Sequence, residues 1–171
     1  DSLLRFRGRK YNKVFLTGSL GNLWLRSPDE RLAGWREFRI ELQSAYDCNS
    51  DIFSSLQAIS TWWQQAPIVN VALDPYDPKA WPTVWEIIHQ GECCKYSRGL
   101  AMAYNIHYID PEADVSVHRV LDHQYNDEYM IATCGQLAVN SQHGQVIDLH
   151  DVDDIEIRES FPIDLCLEFN Q

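Results

Sequence analysis

Residues Trp81–Tyr108, WPTVWEIIHQGECCKYSRGLAMAYNIHY, decide the fold. Pro82 suits a first helical turn, where its missing N–H costs nothing, and Gly91 is a natural stop for the helix that follows. From Tyr96 the apolar residues Leu100, Ala103, Tyr104 and Ile106 recur at helical spacing, and the small Gly99 and Ala101 permit close packing. The pattern predicts a short helix, a glycine stop and a second helix opened by two adjacent cysteines. Cys93 then lies at or just before a helix N-terminus, where the positive end of the dipole favours a thiolate. It is also an ordinary place for a buried cysteine, since free thiols mostly behave as small hydrophobes.

The run Gly91-Glu-Cys93-Cys-Lys-Tyr96-Ser97 followed by an apolar helix resembles the nucleophile segment of transglutaminase-like proteins. There a glycine is followed by cysteine, two variable residues, an aromatic and a small residue. In that register Cys93, not Cys94, takes the nucleophile's place. The resemblance implies a cysteine-bearing helix packed on an antiparallel sheet, as in papain-like cysteine proteases. A histidine should begin the next hairpin and an aspartate should close it. The hairpin Glu128–Asn140 holds Tyr129 and Asn140 at those places. Asparagine can orient an imidazole, but tyrosine, with a reference pKa of about 10, is a poor base at neutral pH. His118, on the preceding strand, and His123, just past it, are the substitutes that could reach the thiolate if the register is shifted. On chemistry alone, the imidazole would take the thiol proton and Asn140 would hold the ring.

Around this segment, 171 residues make one domain with a core and an extension. Hydrophobic content of 45% and six tryptophans indicate a folded chain. No apolar run reaches bilayer length, no leader pattern is visible, and the chain begins at Asp1 without a methionine. The net charge of −11 is uneven: residues 1–40 hold nine basic and four acidic side chains, and residues 41–171 hold five and twenty-one. The acidic body repels nucleic acid. The basic leader, residues 1–26, reads as an extended arm whose Arg5, Phe6, Arg7, Arg9, Lys10 and Lys13 would dock on an acidic neighbouring subunit. Five scattered cysteines without repeated C-x-x-C spacing exclude a zinc pattern and predict reduced thiols.

Residues 27–171 read as a single α+β domain, helices packed on an antiparallel sheet, with a transglutaminase-like core over about 50–150. Ser27-Pro-Asp-Glu opens a short amphipathic segment bearing Trp35, Phe38 and Leu42. A helix over Asp47–Gln65 carries Ile52, Phe53, Leu56, Ile59, Trp62 and Trp63 as a wide stripe, capped by Ser50 or Asp51. Val69–Leu73 reads as a brief strand or extended bridge. Strand periodicity then marks Val115–Leu121, Tyr129–Thr133, Gln136–Asn140 and Gln145–Leu149, and a last alternating strand over Ile163–Phe169.

Other chemistries lack their patterns: there is no phosphate-cradling glycine loop, G-x-S-x-G or H-E-x-x-H. Asp148, Asp151, Asp153 and Asp154 read as a solvated acidic turn, without the glycine and distal glutamate of an EF-hand loop. His89 and His107 sit near helix C-termini, where a dipole accommodates imidazolium. No metal or cofactor is expected.

The Trp81–Trp85 lead-in with the cysteine helix is also similar to small uncharacterised proteins of tailed bacteriophages. Joined to the basic arm and the altered hairpin, that resemblance implies a non-catalytic structural or interaction protein. Such a protein would be a virion component, or would lie in the host cytoplasm during assembly. It would bind other protein subunits and neither nucleic acid nor membrane. The alternative is a cysteine hydrolase or transglutaminase-like enzyme using Cys93 with His118, His123 and Asn140.

Overall fold

A computed structural model describes residues 23–169. Among the described residues five α-helices, α1 (Pro28–Asn49), α2 (Ile52–Gln64), α3 (Val84–Gln90), α4 (Lys95–Ile109) and α5 (Ile163–Phe169), accompany five strands. These are β1 (Val115–Asp122), β2 (Asp127–Cys134), β3 (Leu137–Val139), β4 (Ile147–Asp148) and β5 (Ile155–Pro162), arranged antiparallel in the order β4-β3-β2-β1-β5. The α+β plan read from the sequence holds.

Helices α1, α2 and α3 begin where a short polar side chain, Ser27, Asp51 or Thr83, can satisfy a free N–H group. Ser27 accepts from the Glu30 N–H ahead of Pro28, and Asp51 accepts from the Ser54 N–H to start α2. Ser50, with φ of 49°, separates the two helices. The expected Asp47–Gln65 helix therefore starts five residues later, while the segment before it is a full 22-residue helix. Gly91 ends α3 with φ of 76°. The Arg31 side chain of α1 reaches across and donates to the Ile88 and His89 carbonyls, closing the same helix end.

The core lies between the helices and one face of the sheet. Trp35, Leu42, Leu56, Ile59, Trp62 and Trp63 are almost wholly buried, as are Leu100, Met102 and Ile106 of α4. Such burial stabilises by roughly 25 cal/mol per Å² of apolar surface removed from water. Helix α4 lies directly on β2. A Cβ at Gly99 would stand 2.5 Å from the Met130 carbonyl oxygen, so only glycine allows this approach.

At the C-terminus the expected strand over Ile163–Phe169 is instead helix α5, and the strand precedes it as β5. A helix buries Ile163 and Cys166, three residues apart, whereas strand alternation would have buried Leu165 and Leu167 with Ile163. The strand itself is an edge strand with charged, mostly exposed side chains, so its sequence lacks a continuous apolar signal. The bridge expected over Val69–Leu73 reduces to one parallel pairing, Ile68 with Cys93. Residues 1–22 of the basic arm, with Arg5, Phe6, Arg7, Arg9, Lys10 and Lys13, lie outside the described residues, but its expected end at 26 does not hold: Leu23 and Trp24 are buried in the core, with Trp24 against Trp62 and Trp63.

Candidate thiol site

Cys94 is the N-cap of α4. Its sulfur accepts the Ser97 N–H at 3.4 Å, while the Ser97 hydroxyl accepts the Cys94 N–H at 2.9 Å, a reciprocal capping box built with a thiol. Cys93 immediately precedes it and is held by its backbone. Its N–H donates to the Pro67 carbonyl at 3.0 Å, and its carbonyl accepts the Val69 N–H at 2.9 Å. The extended segment after α2 thus straps the cysteine pair to the body. Both thiols are fully buried.

The two sulfurs differ electrostatically. Burial pushes the Cys93 thiol up to about 12, opposed by the Arg98 guanidinium and reinforced by Cys94 and Glu92. Burial also acts against ionisation of Cys94. There the Ser97 N–H and hydroxyl, with the N–H groups of Tyr96 and Ala72, outweigh it and leave that thiol below its ordinary value. In this conformation Cys93 is a neutral thiol, and Cys94 is the more acidic of the pair.

Arg98 ties the thiol end of α4 to the sheet. Its Nε donates to Asn140 Oδ1 at 2.7 Å, and Asn140 Nδ2 donates to the Lys95 carbonyl at 2.9 Å and the Met130 carbonyl at 2.6 Å. Burial lowers the Arg98 pKa, and Cys93 opposes that shift when ionised. Asn140 has φ of 67°, a conformation asparagine tolerates better than most residues, and it turns back onto the helix side as the chain leaves β3. The hairpin-closing position expected from the sequence therefore does meet the cysteine helix. Nearby, Lys95 pairs with Asp127. Glu128 accepts the Tyr96 and Tyr76 hydroxyls and pairs with Arg119.

The candidate imidazoles are elsewhere. Val117 and Met130 belong to the core beneath α4, so the alternation of β1 turns His118 to the opposite face. There its Nδ1 is 2.7 Å from Ser160 Oγ and its Nε2 is 2.8 Å from Thr133 Oγ1. His123, in the turn after β1, is exposed, and its Nε2 lies 2.9 Å from Glu156. Among the described residues no imidazole hydrogen-bonds the Cys93 sulfur. Tyr129, at the expected histidine place, is also on the outer face, where it donates to Asp122 at 2.8 Å. Burial and Asp122 hold its phenol well above the usual range. The sequence reading missed Arg98, whose one visible signal is a lone cation in the small and apolar run Ser97–Ile106.

No family model matches the chain, and no curated protein matches it by sequence. Solved structures share its fold, among them two of LapG. Calcium-bound LapG of Legionella pneumophila superposes with a TM-score of 0.66 over 89% of this chain and 83% of LapG, at 13% identity. A second LapG structure gives 0.66 over 84% and 80%, also at 13% identity. The fold is transglutaminase-like. Neither neighbour is a phage protein. LapG is a cysteine protease, and this likeness contradicts the expected non-catalytic virion role.

The calcium in the LapG structure invites a test of fit. Among the described residues no three of His, Cys, Asp and Glu gather where they could hold a metal ion. Asp148 accepts its own turn's His150 N–H, and Asp127 is taken by Lys95. These residues do not fit a divalent cation, and the chemistry below uses none.

Proposed function

We propose that this chain is a thiol-dependent hydrolase of amide bonds, a cysteine peptidase in reaction class, with Cys93 as nucleophile. The observation that carries the reading is the cysteine pair heading the helix that lies on β2, tied through Arg98 to Asn140 at the end of β3. That frame stands in a scaffold shared with a cysteine protease.

The reaction needs the thiolate. Movement of the strap would let water reach Cys93 and relieve the burial that holds its proton. Arg98 and the helix N-terminus then favour the anion. A cysteine with an ordinary pKa of about 8.5 has a few per cent thiolate at neutral pH and needs no dedicated base to react slowly. The sulfur forms a bond to the carbonyl carbon. The C–N bond breaks, the amine leaves with a proton from water, and water hydrolyses the thioester. Arg98, held by Asn140, positions a cation beside the sulfur throughout.

The strap is pinned at its far end by Tyr76, whose hydroxyl donates to Glu128 at 3.0 Å beneath the Arg119 guanidinium, 4.7 Å from its ring. Tyr76→Ala should therefore speed alkylation of Cys93.

The test is digestion of unfolded casein and a fluorogenic peptide mixture by wild type, Cys93→Ala and Cys94→Ala. Activity in wild type and Cys94→Ala, abolished in Cys93→Ala, is expected. Inactive wild type with Cys93 resistant to iodoacetamide even in Tyr76→Ala, or full activity in Cys93→Ala, would overturn the reading.

A further inference from the structure

At the other end of α4, about 20 Å from the cysteines at 1.5 Å per residue, Tyr108 and Ile109 meet α1 in an open groove. It has a volume of about 350 Å³ and is also lined by Arg36, Arg39, Ile40 and Gln43. The Arg39 guanidinium rests against two rings, 4.5 Å from Trp35 and 4.7 Å from Tyr108, and Arg36 lies 5.6 Å from Trp85. Trp35 and Trp85 meet edge to face at 4.8 Å, so one aromatic shelf carries both cations. Neither arginine forms an ion pair among the described residues, although the chain carries eleven more acidic than basic side chains. Stacking uses the faces of a guanidinium and leaves its N–H edge available to a carboxylate.

We propose that this arginine–aromatic groove binds an acidic polypeptide segment through two of its carboxylates. Positions three apart on a helix stand about 5–6 Å apart, close to the spacing of every second side chain on an extended peptide, about 7 Å. The cations rest on different rings, Trp85 for Arg36 and Trp35 with Tyr108 for Arg39, so they suit two carboxylates better than one small oxyanion. Beside them the groove offers Ile40, 70% exposed, as an apolar contact for the peptide. Gln43 donates to Asp47 and to the Ile109 carbonyl, and so closes one end of the groove without competing for the anion. The site stands apart from the thiol and does not depend on the proposed hydrolase activity.

The experiment is fluorescence anisotropy on the full chain with a labelled octapeptide alternating Glu and Val, its Gln-Val counterpart, and unlabelled phosphate and duplex DNA as competitors. The Glu peptide should bind at about 50 mM salt and weaken steeply by about 300 mM, and the Gln peptide should bind far less. Arg36→Gln with Arg39→Gln should weaken binding on the order of tenfold, and Cys93→Ala should leave it unchanged. If the double Gln variant fails to fold, Arg36→Lys with Arg39→Lys decides: it keeps the charge but loses the stacked fork, and a several-fold loss is expected. Equal affinity for the two peptides, undiminished binding in the folded variants, or stronger competition by phosphate or DNA than by unlabelled Glu peptide would overturn the proposal.

Discussion

The sheet face under α4 carries Val117, Met130 and Ala132 below Cys93 and Asn140, whereas the opposite face carries His118, Tyr129 and Asp122. One side has a thiol, a cation and an orienting amide; the other has an imidazole, a phenol and a carboxylate. Nothing about composition separates them. A strand's period of two does, because each step of one residue exchanges the faces. His118 adjoins Val117 in sequence, and the sheet stands between its imidazole and the thiol.

The comparison is sharpened first by removing the thiol. Cys93→Ala should lower peptide hydrolysis by at least about 10³-fold, while His118→Gln should leave the rate within error; a reversal would put the reactive group on the other face. Next is the contact that seats the thiol helix. Gly99→Ala drives a Cβ against the Met130 backbone, and should cost about 3 kcal/mol in denaturant unfolding. Asn140→Ala removes a buried amide with three hydrogen bonds at φ of 67° and should cost about 2 kcal/mol. Asn140→Gly should recover part of that, because glycine accepts the backbone conformation.

The smallest effect lies on the outer face. Burial lowers the His118 pKa below its ordinary value, so the folded state binds its proton less readily than the unfolded chain. Its contribution is intact above about pH 6.5 and is lost as pH falls from there through the folded value. Thermal unfolding from pH 7.5 to 5 should show a decline that His118→Gln removes.

Much of this arrangement is legible in the sequence. Trp81–Tyr108 alone gives two helices, the glycine stop and the cysteine at the helix mouth, because caps and periodicity are local signals; Pro82, expected in the first turn, instead precedes the Thr83 cap of α3. The Cys134-Gly135 turn likewise marks the β2–β3 hairpin. The resemblance to transglutaminase-like proteins singles out the position of Asn140 but implies an imidazole as its partner, whereas its amide holds Arg98 and two backbone carbonyls. The face of His118 is not legible, since it depends on which side of β1 the helices cover. Strand β5 escaped notice because an exposed edge needs few apolar residues, and Ile163–Phe169 reads as a strand because alternate apolar residues also fit a short, partly buried helix. Arg98 gains its meaning only when β3 delivers Asn140 to it.

The most direct test of a thiol working without an imidazole is the pH dependence of peptide hydrolysis from pH 5 to 10 in wild type, His118→Gln and His123→Gln. The account predicts activity rising with one thiol ionisation and superimposable profiles in all three proteins. A limb near pH 6.5 in wild type that disappears in either histidine variant would contradict it.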